Sequence, residues 1–556
     1  MRRKPFIGAT LALIIALQGM ILVACGNSTA AGRPPIITSE AGSSDTASGP
    51  ASTATVGSTD TPEPTPTPEA TTTPSPTPLP TETPAPAPTP EPVTLAVPMD
   101  WEAEVIEALA RANDTLPPGY HWAVMAADDP AAELAAGNAQ AALLPGAEGI
   151  IVREEPLAFT VPFTTNWEAL SPADADAILA GGNSLVRVIP WSAMTPDNKA
   201  LRIDGRHPTD PDYPYREAWS LTAAPGKEDA VAALAPALTA MLAPLPTIRL
   251  AAVGDLNIAR TQAEIITTTG DLAYPLSLVA PVFAAADYTI GNLETALGDV
   301  GEPAAKRYTF RSPPEAAQSL AIGGVDLVSL ANNHALDYGP EALLQGIDLL
   351  HEAGVATVGG GADDAAAHAP YIADINGLKV AFLGYVHVPV EAITHFDTQS
   401  WTAAAGTPGL AWADPERIRA DIAAVRPLAD LVVVQLHSGY EYIEEPSEEQ
   451  VAAARAAVDA GADLVVGHHA HILQGIHRYN DGVIAYGLGN FLFNIDGPPE
   501  TAILNVWLDR DGVRQLEVVP AIVQQYGQPR PANFSEAGPI LSRVYYLTTI
   551  LNAANP

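Results

Sequence analysis

From Thr247 onward the chain repeats one arrangement: a short apolar run, polar side chains at its end, then a helical pattern. Such runs read as buried strands, and helices between them make an α/β sheet. Arg249 to Val253 ends at Gly254-Asp255, and Tyr288 to Ile290 ends at Gly291-Asn292-Leu293-Glu294. Asp326 to Leu330 ends at Ala331-Asn332-Asn333-His334, and Leu431 to Leu436 at His437-Ser438-Gly439-Tyr440-Glu441. Asp463 to Val466 runs into Gly467-His468-His469-Ala470-His471, and Val483 to Tyr486 into Gly487-Leu488-Gly489-Asn490-Phe491. Helical patterns cover 313–322, 340–353, 415–429 and 447–460. Pro340 and Pro415 sit in first turns, where the missing N–H costs nothing.

Sites in open α/β sheets form beyond the carboxyl ends of strands. One such edge would collect Asp255, Glu294, Asn333, His334, His437, His469 and His471. Singly, each has a structural explanation, since strand-end Asp caps helices and Asn-Asn makes turns. Together, carboxylates, an asparagine and imidazoles make a mixed N/O donor set that suits Mn, Fe or Zn. The donors outnumber the needs of one tetrahedral ion, which argues for two metals about 3.5–4 Å apart. In an extended segment His469 and His471 would project to the same side and grip one cation; the alternative is a polar, His-rich loop.

At these residues the chain resembles the CapA-type capsule synthesis proteins associated with poly-γ-glutamate, which have a calcineurin-like metallophosphoesterase sandwich fold. The resemblance rests on Gly254-Asp255 with Arg260, Gly291 to Glu294, Ala331 to Gly339, His437 to Tyr442, Gly467 to His471 and Tyr486 to Phe491. It implies that Asp255 ligates a first metal and Asn333 a second, with His437 and His469 on one metal and His471 on the other. It also makes His334 the acid that protonates a leaving group. Asn257 stands where metallophosphoesterases carry the histidine of Asp-x-His. The Asn292/Glu294 pair replaces a bridging aspartate, and Ser438 replaces a tryptophan. Asp337 either orients His334 or caps the following helix. Arg260, Arg307 and Arg311, with Asn292 and Glu441, are candidates for holding an anionic substrate; a surface salt-bridge network is the other reading of the arginines. The remaining histidines read as structural or surface residues, with His387 the exception to watch because it too follows a strand.

The region before Thr247 is different in kind. Arg2, Arg3 and Lys4, the apolar run from Phe6 to Val23 and Leu22-Val23-Ala24-Cys25 read as a lipoprotein signal peptide (1–25) with Cys25 lipidated. Cys25 is the only cysteine, so no structural disulfide is expected. Residues 26–92, with Thr61-Pro62-Glu63-Pro64-Thr65-Pro66-Thr67-Pro68, offer almost nothing to bury and read as a disordered linker. Residues 93–246 read as a smaller α/β domain with a weak resemblance to solute-binding proteins. Arg202, Arg206, Trp191 and Trp219 there either line an anion pocket or are ordinary surface and core residues. Residues 247–530 form the metallophosphatase-like domain and 531–556 a C-terminal tail.

A formal net charge of -37 argues against nucleic acid or an anionic lipid surface as partner. The expectation is therefore a lipid-anchored protein on the extracytoplasmic face of the cell membrane. It would process an anionic capsule polymer by metal-dependent hydrolysis or transfer, alongside a membrane synthase complex. The alternatives are a non-catalytic polymer-binding component of an export complex and a general surface metallophosphoesterase.

Overall fold

A computed structural model describes residues 90–112, 119–183, 185–391, 395–494 and 497–554. The signal peptide, Cys25 and nearly all of the Thr/Pro-rich linker lie outside the described residues.

The strand ends expected on one sheet edge belong to two sheets. One sheet carries the parallel strands Ile248–Leu256, Tyr288–Leu293, Leu327–Ser329 and Ala356–Val358, extended by the antiparallel hairpin Glu500–Asp509/Gly512–Val523. The other carries Leu378–His387, Leu431–Ser438, Leu464–His468 and Gly482–Ala485 in parallel, with antiparallel strands at both borders. Both faces of these strands are buried, so periodicity alone does not say which sheet a strand joins. The sheets pack face to face: Leu250, Ala252, Ile290 and Leu327 of the first share a core with Phe382, Val433, Leu464 and Val466 of the second. Each fully buried aliphatic side chain there contributes about 1.5–3 kcal/mol. Helices Glu315–Gly323 and Gly339–Ala353 cover the outer face of the first sheet, and Pro415–Val425 and Glu448–Asp459 that of the second. Ser447 starts the last of these with a complete capping box to Gln450.

Residues 531–556, read from sequence as a tail, carry the helix Phe534–Ala554, which packs on the strands Ile476–Tyr479 and Gly512–Val523. Its buried residues Ile540, Val544 and Tyr545 complete the inter-sheet core. The N-terminal segment builds its own mixed sheet from Glu91–Pro98 through Arg216–Ala223. Ser171 caps the helix Pro172–Leu179 there as expected.

That segment docks on the C-terminal hairpin through specific contacts. Arg202 makes a two-pronged ion pair with Glu517 (2.7 and 3.0 Å). His207 stacks on Trp507 with centroids 4.1 Å apart. Arg206 instead pairs with Asp204 and Asp212, while Trp191 packs edge-on to His207 and Trp219 packs at a tilt against Trp101. The four residues weighed as an anion pocket are thus dispersed over docking, core and surface contacts.

Candidate metal centre

The carboxyl ends of both sheets meet at one buried cluster. Gly254 and Gly467 make this possible: a Cβ on the first would collide with the Gly489 carbonyl, and one on the second with the Tyr486 carbonyl. Only glycine lets these backbones close on the 486–490 segment. Asp255 is thereby seated at the end of its strand, its N–H donating to Gly489 O at 3.0 Å.

Asn292 holds two partners at once: its Nδ2 lies 2.8 Å from Asp255 Oδ1 and 3.1 Å from His437 Nδ1. Its Oδ1 accepts from Asn332 Nδ2 at 3.1 Å. Asn292 is wholly buried, which corrects its assignment to substrate: it faces the donors, not the solvent. Asn257 donates to the Glu294 carbonyl at 2.8 Å and accepts from Ala259 N–H at 2.9 Å. Both ends of its amide are satisfied by backbone, so it makes a turn in place of the missing histidine.

Glu294 occupies the middle. It is 0% exposed, and neither carboxylate oxygen has a hydrogen-bond partner among the described residues. Its Oε1 lies 3.6 Å from His437 Nε2 and 3.9 Å from His471 Nε2. Donor atoms of Glu294, His437 and His469 fall within 4.8 Å of one another, as do those of Asp255, Glu294 and His471. One carboxylate is therefore common to two donor triads. Asn333 stands beside the first, its Oδ1 2.8 Å from His437 Nε2.

A buried carboxylate without partners is costly unless a cation or a proton neutralises it. Burial, then the nearby Asp255 charge, pushes the Glu294 carboxyl well above the usual range. Burial also pushes Asp255 up, but its contact with His471 and the His471 and His468 charges outweigh this and hold it low. His471 is pushed up to about 10: burial lowers it, and the Glu294 and Asp255 carboxylates override that. Burial, reinforced by neighbouring imidazoles, drives His469 down to about 3 and His437 well below its ordinary value. Lowered in this way, His437 and His469 favour the neutral form that ligates a cation. The donor set fits divalent cations.

The route by which the imidazoles converge differs from the expected one. The strand ends at His468, and His469 and His471 have left-handed backbones with φ of 85° and 56°. A non-extended turn, not strand alternation, brings their rings to 5.9 Å. The His471 ring is fixed by Asn490, whose Oδ1 lies 2.8 Å from Nδ1. Of the two readings of His468, structural or surface, its burial fits the first. Its Nδ1 lies 3.6 Å from Asp255 Oδ1, so it belongs to the floor of the centre and not to the surface. His387 packs against Trp412 and joins none of the triads.

Beside the triads, His334 Nδ1 lies 2.7 Å from Asp337 Oδ2, which also accepts from Phe310 N–H at 2.6 Å. Asp337 thus contacts the His334 ring, and the helix Gly339–Ala353 has no side-chain cap among the described residues. Lys306, passed over in the sequence, has a fully buried side chain. Its Nζ lies 2.7 Å from Asp337, 2.5 Å from Glu391 and 2.5 Å from the Asn333 carbonyl. Nothing in its sequence setting marks it off from the neighbouring exposed Arg307.

Arg260 is exposed, donates to Asn494 O at 3.0 Å and lies over the ring of Phe310, which itself contacts His334. Arg307 is exposed beside Tyr308. Arg311 is instead committed to the Val300 and Gly301 carbonyls and the face of Tyr338, which takes it away from the substrate role read from sequence. Glu441 is exposed at the mouth, its carboxylate within 4.8 Å of donors on His469 and His471.

A two-sheet α/β sandwich with carboxylate–imidazole triads at its strand ends defines a metallophosphatase-like protein. Residues 249–495 match the model of the family described as bacterial capsule synthesis protein PGA_cap. The chain is 33% identical over 279 residues to the PGA biosynthesis protein CapA of Bacillus subtilis, covering 49% of this chain and 71% of that one. It is 33% identical over 289 residues to the capsule biosynthesis protein CapA of Bacillus anthracis, covering 50% and 68%. Among solved structures, a hypothetical protein from Thermus thermophilus aligns at 15% identity and TM-score 0.31, covering 49% of this chain and 98% of that one. The chain belongs to the bacterial capsule synthesis protein family PGA_cap.

Proposed function

We propose that this protein acts in making or trimming an anionic capsule polymer of the poly-γ-glutamate kind, by metal-dependent hydrolysis or transfer. The single observation that carries the reading is the unpartnered Glu294 carboxylate shared by two donor triads beside the His334–Asp337 pair. Asp255, Glu294 and His471 would hold one divalent cation, and Glu294, His437 and His469, with Asn333 alongside, the other. Bound there, Mn, Fe or Zn would polarise the scissile group and lower the pKa of water. The protein's own part is proton transfer and orientation. Asp337 accepts from Nδ1–H of His334, leaving Nε2 to deliver a proton to the departing nitrogen or oxygen, a contribution of about 10²–10⁴ in rate. Arg260 and Arg307 offer positive charge to the anionic polymer. Cys25 would carry the lipid that anchors the protein outside the cytoplasm, with 26–92 as tether and a membrane synthase as neighbour.

The test is to incubate the purified metal-loaded protein with poly-γ-glutamate and, separately, with an aryl phosphate. Shortened or transferred polymer, abolished in His334→Ala, supports the proposal. Phosphate release alone makes the protein a general phosphoesterase. Polymer binding without turnover makes it a component of export.

A further inference from the structure

Two imidazoles at the centre are flanked by carboxylates on both sides. Glu294 approaches His469 and His471 from the buried side. Glu441 approaches the same pair from the solvent side, its carboxylate and the two imidazole donors lying within 4.8 Å of one another. The delivery of Glu441 is built into the backbone. The strand Leu431–Ser438 ends at Gly439, whose φ of 107° turns the chain over the His segment. Tyr442, itself left-handed at φ 60°, donates its N–H to Ala470 O at 2.8 Å. The loop carrying Glu441 is thus bonded to the residue between the two histidines. His469 is 5% exposed, and its Nδ1 has no hydrogen-bond partner among the described residues. A carboxylate oxygen and imidazole nitrogens are the donor types that Mn, Fe and Zn share.

We infer that Glu441 is a third carboxylate ligand of the centre, closing it from the solvent side, and not a substrate-holding residue. The inference rests on the metal-binding reading above. Its consequence is that a substrate reaching the cation on the His469/His471 side must displace Glu441.

The test is Mn²⁺ binding to the full chain, by calorimetry and by water-proton relaxation, in wild type, Glu441→Gln and Glu444→Gln. Glu444, in the same loop, pairs with Arg543 and serves as the control for loop charge. The expected result is that Glu441→Gln weakens one binding step by 10-fold or more and raises the relaxivity of bound Mn²⁺, since water takes the vacated position. Glu444→Gln leaves both unchanged. Affinities within twofold of wild type and unaltered relaxivity in Glu441→Gln overturn the inference while leaving the metal centre standing. Equal weakening by Glu444→Gln also overturns it, assigning the effect to charge alone. No Mn²⁺ uptake by wild type removes the centre and the inference together.

Discussion

His334 Nδ1 lies 2.7 Å from Asp337 Oδ2, and Lys306 Nζ lies 2.7 Å from Oδ1 of the same carboxylate and 3.4 Å from His334 Nδ1. The carboxylate therefore sets which ring nitrogen of His334 carries the proton, and the buried lysine keeps that carboxylate in place. An amide oxygen in the Oδ2 position could still accept from the ring and from Phe310 N–H, but the amide carries no charge to stabilise a protonated His334 and turns its NH2 towards the Lys306 ammonium. Asp337→Asn is expected to lower kcat by about 10²–10⁴ with KM within a few-fold of wild type. Steady-state kinetics on whichever of the two substrates is turned over check this; a change in KM alone would make Asp337 a binding residue.

On the proposed two-cation reading, Glu294 is shared by both donor triads whereas His437 serves one. Because it belongs to both triads, Glu294→Gln should abolish uptake of both cations, whereas His437→Ala should spare the Asp255/His471 side. Metal analysis of the two variants distinguishes them: equal losses would mean that the triads do not bind independently. Chelation of wild type is expected to lower Tm by on the order of 5 °C, since a ligand at 100 times its Kd stabilises by about 2.7 kcal/mol. A chelator that leaves Tm untouched would argue against a cation stabilising the fold.

The docking of the N-terminal segment predicts acid sensitivity. Burial raises Glu517, but the Arg202 guanidinium overrides this and holds it at about 2, while burial drives His207 down to about 3. Both groups titrate lower in the folded than in the unfolded chain. Their stabilisation is therefore complete above the unfolded values of about 6.5 and 4.5 and is lost as pH falls through the folded ones. Stability should decline from about pH 6.5 towards 3 with His207, and Glu517 adds to the loss below about 4.5. Glu517→Gln should destabilise at about pH 7, with the deficit shrinking towards about pH 2. Urea melts across this range decide it, and a pH-independent deficit would sink the idea.

Much of this was legible in the chain because the ligand types recur at strand ends, where sheet topology collects them. Asp255, Glu294, Asn333, His437, His469 and His471 all lie at the centre. What escaped depends on pairing that has no local signature. Asn292 and Arg311 read as candidates for holding an anionic substrate, whereas the structure gives their donors to Asp255 and to the Val300 and Gly301 carbonyls. Lys306, Asn490 and His468 matter through neighbours distant in sequence. The assignment of strands to two sheets was hidden because strands buried on both faces lose their alternation. The terminal helix was hidden as well, its apolar face needing the completed sandwich before it has anything to cover.

The glycines predict the last outcome. Gly467 has no room for a Cβ because the Tyr486 carbonyl occupies that space, and backbone cannot swing aside as a flexible side chain would. Gly467→Ala must push the 486–490 segment outward, which moves Asn490 off His471 Nδ1 and loosens the Asp255–Gly489 hydrogen bond. Overpacking of this kind costs about 1–3 kcal/mol. The variant should fold with reduced stability and bind Mn²⁺ at least about 10-fold more weakly, as expected when a partner orienting a ligand is lost. Thermal melts paired with Mn²⁺ titration check both parts. Lost stability with unchanged metal affinity would show that the backbone approach at Gly467 serves the fold alone.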